Sequence, residues 1–240
     1  RRLAGEVERR DVRAVAPVLD GTVPTALADH FDRTEPDLIV MTTHDRGRLE
    51  HLLVGSVAES VTRRAHIPVL LVRPSDDAAS LEPDVEIKHI LIPLDGSTFA
   101  GQIVPCAATL AGLMRADITL IAVLQPVLAV ASAALGAGPD PVMPLSKAPE
   151  GEETKTTVPA LEAVAASLTR ESRVPVHTAA LSSGQPARAI VGYASDHHID
   201  LIAMTTHGRG ALKRLVAGSV SETVLRTSHL PMLMFRPTMT

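Results

Sequence analysis

The feature that most constrains the fold is an internal repeat. Residues 37–74 align without gaps on residues 200–237 at a constant offset of 163, and more than half of the positions are identical. DLIVMTTHDRG faces DLIAMTTHGRG, and LVGSVAESVTRRAHIPVLLVRP faces VAGSVSETVLRTSHLPMLMFRP. Self-similarity at a fixed offset means that one structural unit occurs twice, so the fold must accommodate two like pieces. Each copy reads as strand, loop, helix, strand. In the second, Leu201–Met204 is a short apolar run of buried-strand type, followed by a Gly-containing loop. Ser219, with Glu222 three residues on, is a capping-box start for a helix carrying Val220, Val224 and Leu225 on one face. Pro231 follows the helix, and Met232–Phe235 is a second apolar strand.

Matching units lie upstream of both copies. VHTAALSSGQPARAIVGYASDHHID predicts a strand, a turn at Gly184 and a helix burying Ala189, Ile190, Tyr193 and Ala194. VRAVAPVLDGTVPTALADHFDRTEPD repeats that plan around Gly21 and predicts a strand at Val12–Val18. Only the second copy has more in front. KHILIPLDGS gives a strand at Ile90–Leu94 ending in Asp95-Gly96-Ser97. A helix pattern over Thr98–Met114, a strand at Ile118–Leu124, a Pro/Gly-rich loop over Gln125–Gly151 and a helix over Glu153–Ser172 follow.

The second unit thus reads β-α-β-loop-α-β-α-β-α-β. Strands alternating with helices imply an α/β fold: a doubly wound, Rossmann-like, five-stranded parallel sheet with helices on both faces, in tandem. The first unit starts in what reads as the end of a long helix, LAGEVERR, without the leading β-α-β. Those strands would lie centrally, between Val12–Val18 and Leu38–Met41, and a sheet without its middle leaves backbone groups unpaired. We therefore expect a further N-terminal segment, in keeping with a chain that does not begin with Met. The expected division is 1–75 as the C-terminal part of a first domain, 76–86 as a linker, and 87–240 as a complete second domain.

Composition narrows the function. Of 240 residues, 45% are hydrophobic and 21% charged, which excludes wholesale disorder. Aromatics are 2% with no Trp, so the core rests on Val, Leu, Ile, Ala and Met. A net charge of −4 without basic clusters argues against nucleic acid. A single cysteine, Cys106, forms no intrachain disulfide and fits a reducing cytosol. No apolar run follows Arg1-Arg2-Leu3, so no signal peptide is expected there. The apolar window Ile118–Leu135 is broken by Gln125-Pro126 and reads as strand plus loop, not a membrane span.

The chemistry concentrates in the repeated loop. Glycines let a backbone approach phosphate oxygens. Ser219 and Val220 open a helix, where N–H groups lack intrahelical acceptors and the dipole favours an anion. Gly218-Ser219 alone is equally a plain helix entry; Gly208 at its spacing and the flanking strands favour an anion site. In an open α/β sheet the rest of a ligand site lies at the carboxyl ends of the strands, where strand order reverses. Asp95 ends such a strand, either to accept from ribose hydroxyls or, with Ser97, to cap the next helix.

At these residues the chain resembles the universal stress protein family, over essentially its whole length, as a tandem pair with an incomplete first member. ATP-binding members carry G-x-x-G, nine residues, then G-[S/T] after the fourth strand. Here the second copy reads Thr205-Thr206-His207-Gly208, nine residues, Gly218-Ser219, with Thr205 in place of the first glycine. The first copy reads Thr42-Thr43-His44-Asp45, nine residues, Gly55-Ser56, and departs at two positions. The resemblance implies an ATP site, with or without Mg²⁺. Pro93, Leu94, Asp95 and Val123 would hold adenine and ribose, and Gly184 would line the cleft or simply turn the chain. Thr205, Gly208, Arg209, Gly218, Ser219 and Val220 would face the phosphates.

The function implied is a cytoplasmic, nucleotide-responsive stress-response regulator rather than an enzyme. Its partners would be a nucleotide, and either a second copy or its own other unit, paired through the last strands, Pro68–Val72 and Pro231–Phe235. Asp45 adds a carboxylate beside the phosphates and removes space, so the first copy is expected not to hold ATP. Two alternatives remain: a dimeric scaffold that binds no nucleotide, and a slow Mg²⁺-dependent ATP hydrolase. No G-x-x-x-x-G-K-[ST], G-x-S-x-G or nucleophile–base set occurs. His197-His198 lacks partners at metal-ligand spacing. His44 and His207 read as loop-packing or phosphate-facing residues, and Arg209, Lys213 and Arg214 as a solvated face or phosphate contacts.

Overall fold

A computed structural model describes residues 13–43, 56–73, 86–125, 143–144, 152–206 and 220–237. The first unit supplies α1 (Val23–Thr34), β1 (Ile39–Thr42), α2 (Ser56–Arg64) and β2 (Val69–Val72). The second supplies β3 (His89–Pro93), α3 (Thr98–Gly101), α4 (Val104–Met114), β4 (Asp117–Leu124), β5 (Met143–Pro144) and α5 (Glu152–Ser172). It continues with β6 (Val176–Ser182), α6 (Pro186–Asp196), β7 (Leu201–Thr205), α7 (Val220–Thr227) and β8 (Met232–Phe235).

All the described strands form one sheet in the order β1-β2-β8-β7-β3-β4-β6-β5. Within the second unit β8, β7, β3, β4 and β6 are parallel throughout, the five-stranded doubly wound arrangement expected from the sequence. Helices cover both faces. Ile90, Ile92, Leu120 and Leu201 pack with α4 and α5 on one side, and Leu91, Ile121, Ile202 and Met232 pack with α6 and α7 on the other. Burial on both faces explains why Leu201–Thr205 and Met232–Phe235 read as unbroken apolar runs rather than alternating ones.

The two units meet edge to edge. β2 and β8 pair antiparallel, with Leu70 opposite Leu233 and Val69 opposite Met234. Leu70 and Leu233 are the same position of the repeat, so the joint has a local two-fold relation, as an isologous interface between identical subunits would. Each unit thereby covers the other's exposed strand edge. The core continues through the joint, since Val69, Leu71, Met232 and Met234 share one apolar cluster.

Three expectations need correction. The first is the strand at Val12–Val18: residues 13–18 form none, and Val15 and Val18 are 76% and 92% exposed. A strand needs a neighbour for its N–H and C=O groups; the sheet ends at β1, and the strands expected between β1 and this run are not found among the described residues. The second is the single helix over Thr98–Met114, which is interrupted at Gln102–Ile103. Pro105 cannot donate to the carbonyl four residues back, so the helix restarts rather than continues. The third is the loop over Gln125–Gly151, which contributes a short antiparallel edge: Met143 and Pro144 pair with Ser182 and Leu181. Residues 126–142 and 145–151 of that loop lie outside the described residues.

Candidate functional site

Strand order reverses between β3 and β7: from β3 the chain runs outward through β4 to β6, then returns to β7 and β8. In an open α/β sheet this is where a ligand crevice lies. β3 and β7 pair only at Ile90–Leu201 and Leu91–Ile202, although both strands run further. The cause is Pro93. Successive residues of a strand direct their backbone groups to alternate neighbours. In β3 the Lys88 carbonyl and the Leu94 N–H bond to Asp117 and Ile121, on the β4 side. Pro93 therefore faces β7, as His89 does when its carbonyl accepts from the Asp200 N–H. Proline has no N–H to donate, so the ladder ends there and the carboxyl ends of the two strands are free to part.

Both banks of this crevice carry predicted site residues. On one, β3 ends in Pro93, Leu94 and Asp95. One Asp95 oxygen accepts the Ser97 N–H at 2.9 Å, and the residue is exposed. Ser97 is the true cap of α3, its hydroxyl accepting the Ala100 N–H at 3.1 Å. Gly96 between them sits at φ +74°, a conformation side chains rarely adopt. Capping and ligand binding are thus divided between neighbours: Ser97 caps the helix, and Asp95 keeps a carboxylate oxygen for other use.

On the opposite bank, β7 ends in the buried Thr205. The Thr206 N–H bonds to the Phe235 carbonyl, and the Ser221 hydroxyl donates to the Thr206 carbonyl at 3.4 Å. These contacts hold the amino end of α7 against the carboxyl end of β7. Val220 opens that helix and is 38% exposed, turned toward solvent rather than into the core face assigned to it from sequence. The macrodipole of α7 thus points its positive end at the same edge of the sheet as Asp95.

Val123 lies near the end of β4, paired with Leu181, and is only partly buried. Gly184 follows β6, where the Ser183 N–H bonds to the Leu124 carbonyl. Both sit at the carboxyl edge, with Gly184 two strands from the crevice on the β4 side. Gly208, Arg209, Gly218 and Ser219 lie outside the described residues, as do His207, Lys213, Arg214, His44, Asp45 and Gly55. The role of Pro93 in opening the sheet was not read from the sequence. A proline closing a parallel strand beside a switch point was the available signal.

Elsewhere the chemistry is quieter. Among the described residues no group of three or more His, Cys, Asp or Glu side chains is arranged to hold a metal, and no helix is long and apolar enough to cross a membrane. Cys106 is partly buried on α4, and burial pushes its thiol up, away from the thiolate a nucleophile needs. A cavity of about 780 Å³ opens along β1 in the first unit, lined by Val23, Leu27, Phe31 and Met41 among others.

The sequence model of the Universal stress protein family matches residues 2–73 and 86–236. A universal stress protein of Mycobacterium tuberculosis is 30% identical over 202 residues, 84% of this chain and 62% of its own. The chain therefore spans less than two thirds of the length of such relatives. A universal stress protein of Methanocaldococcus jannaschii is 34% identical over 149 residues, 62% of this chain and 82% of its own. Among solved structures, a universal stress protein from Archaeoglobus fulgidus superposes with a TM-score of 0.69 at 18% identity, covering 98% of this chain and 75% of that one. At that identity the likeness speaks to the fold.

Proposed function

Because the chain belongs to the universal stress protein family, we propose that its second unit binds ATP in the crevice between β3 and β7 and that the protein acts as a nucleotide-responsive stress-response regulator in the cytoplasm. The observation that carries this reading is the early end of the β3–β7 ladder, with Asp95 on one bank and the amino end of α7 on the other. An acceptor suited to ribose hydroxyls and a positive helix end suited to phosphate lie across one opening, as a nucleotide requires. The Gly208, Gly218-Ser219 spacing supports the same assignment from sequence.

The proposed role is binding rather than catalysis, because the sequence carries none of the nucleophile–base motifs and none is assembled among the described crevice residues. Nucleotide would favour one conformation of the second unit and so tune a partner surface. The test is calorimetric titration of ATP, with and without Mg²⁺, into the wild type, Gly218→Val and Asp95→Ala. The expected result is saturable binding in the wild type, lost in Gly218→Val and weakened in Asp95→Ala. A wild type that takes up no ATP leaves the scaffold reading in its place, and equal binding in all three proteins moves the site elsewhere.

A further inference from the structure

Beyond the sheet, the two units hold each other by a reciprocal pair of arginines. Arg73, just after β2, donates from Nη2 to the Leu225 carbonyl at 2.8 Å. Arg236, just after β8, donates from Nη1 to the Arg63 carbonyl at 2.6 Å. Arg73 and Arg236 are the same position of the repeat. Each crosses the joint to the last turn of the other unit's helix, since α2 ends at Arg64 and α7 at Thr227. These are carbonyls that a helix leaves without an intrahelical donor: the final backbone bonds are Ala65 N–H to Val61 and Ser228 N–H to Val224. A guanidinium placed there also meets the negative end of the helix dipole.

The two contacts start from equivalent arginines and reach the last turn of the facing helix at carbonyls one residue apart in the repeat, and they differ in consequence. α7 is the helix whose amino end the nucleotide reading uses, and at 8 residues it is too short to be stable without tertiary support. Its first turn is fixed to β7 through Ser221, within its own unit. Its last turn is fixed by Arg73, from the other unit. α2 belongs to the copy that carries Asp45, so Arg236 supports a helix not expected to meet a phosphate.

We propose that Arg73 is a positioning residue for the anion-facing end of α7, by which the first unit sets the nucleotide affinity of the second. A cation at the carboxyl end and an anion at the amino end stabilise the same dipole and order the same two turns. By reciprocity, nucleotide bound at α7 tightens the joint between the units. This inference rests on the nucleotide reading above.

The test uses the full chain as Arg73→Met, Arg73→Lys and Arg236→Met. Three quantities are measured: ATP affinity by calorimetry, melting temperature, and hydrogen exchange over residues 56–64 and 220–227. Arg73→Met is expected to weaken ATP binding measurably, by up to roughly five-fold if the whole interaction of a cation with the helix carboxyl end is felt at the amino end, and to raise exchange in 220–227. Arg73→Lys recovers part of both. Arg236→Met lowers the melting temperature to a similar degree and raises exchange in 56–64, while ATP affinity stays at the wild-type value. Unchanged ATP affinity in Arg73→Met overturns the coupling. Equal weakening by Arg73→Met and Arg236→Met also overturns it, since that marks general loosening of the joint. If the wild type takes up no ATP, the nucleotide reading and the coupling fall together, and the exchange pattern alone decides whether Arg73 holds α7.

Discussion

At the scale of single residues, side chains of similar type carry different duties. Ser97 satisfies a helix N–H that nothing else reaches, so Ser97→Ala is expected to cost about 1 kcal/mol of stability in urea denaturation. Asp95→Ala removes only an Asx-type contact to Ser97, so its stability cost should be smaller while its effect on ATP should be larger. Finding the two variants interchangeable would remove the division of labour. At the opposite, amino edge of the sheet lies His89, whose Nε2 is 2.7 Å from the Thr119 hydroxyl. Asp117 and His177 face it from β4 and β6, and Asp200 and His197 from the turn between α6 and β7. Burial is the main influence and lowers its pKa below the ordinary 6.5, outweighing the two carboxylates. In the window below 6.5 the unfolded chain binds the proton more readily than the folded one. Stability therefore falls as pH drops from 6.5 toward the lower folded value. His89→Gln keeps a polar partner for Thr119 without titrating, so it should lose less melting temperature than the wild type between pH ~7.5 and ~5.5. An undiminished acid loss in that variant would assign the effect to other groups.

At the scale of elements, the repeat provides a built-in comparison. β1 and β7 are the same strand by sequence, yet Val40 is 60% exposed where its counterpart Ala203 is fully buried. β7 has β3 beside it and helices on both faces, whereas β1 is an edge with cover on one face. Val40→Lys should therefore change stability by no more than about 0.5 kcal/mol. Ala203→Lys, which buries an unpaired charge, should cost about 3 kcal/mol or more, or abolish folding. Equal costs in thermal or urea unfolding would mean that β1 is covered in solution. The same contrast explains what was legible in the sequence. Five of the paired strands, at Ile39–Thr42, Val69–Val72, His89–Pro93, Asp117–Leu124 and Met232–Phe235, stood out from their apolar runs to within a residue or so, whereas the short edge at Met143–Pro144 did not. The run at Val12–Val18 has the same local pattern but no partner, and strand formation is a property of the pair. The break at Pro105 was legible in principle and was masked by the Ala-rich periodicity around it. On the site, residue types and spacing pointed to the carboxyl edge. The opening itself depends on which way the backbone of Pro93 faces, and that is set by register between strands far apart in sequence.

At the scale of the molecule, the two units do not depend on each other equally. The second holds five parallel strands with helices on both faces, a complete core by itself. The first, among the described residues, holds two strands and two helices, and a two-stranded sheet is marginal in water. Its stability is borrowed through β2, Arg73 and the apolar cluster shared with Met232 and Met234. Residues 87–240 alone should fold, while residues 1–75 alone should not, as circular dichroism and exchange would show. Cutting the chain there uncovers β8, whose Leu233 is fully buried in the intact joint. Leu70 and Leu233 are equivalent positions facing each other, so a second β8 can take the place of β2 with Leu233 on the two-fold axis. In the intact chain β8 pairs with the chain's own β2, and a short tether favours that pairing by making the effective concentration of the partner strand of the order of millimolar. The isolated 87–240 fragment should therefore dimerise at micromolar concentrations, and its Leu233→Asp variant should be monomeric. Sedimentation velocity decides this. A wild-type fragment that is folded and monomeric would mean that the joint depends on contacts only the first unit supplies, with Arg73 the first to examine.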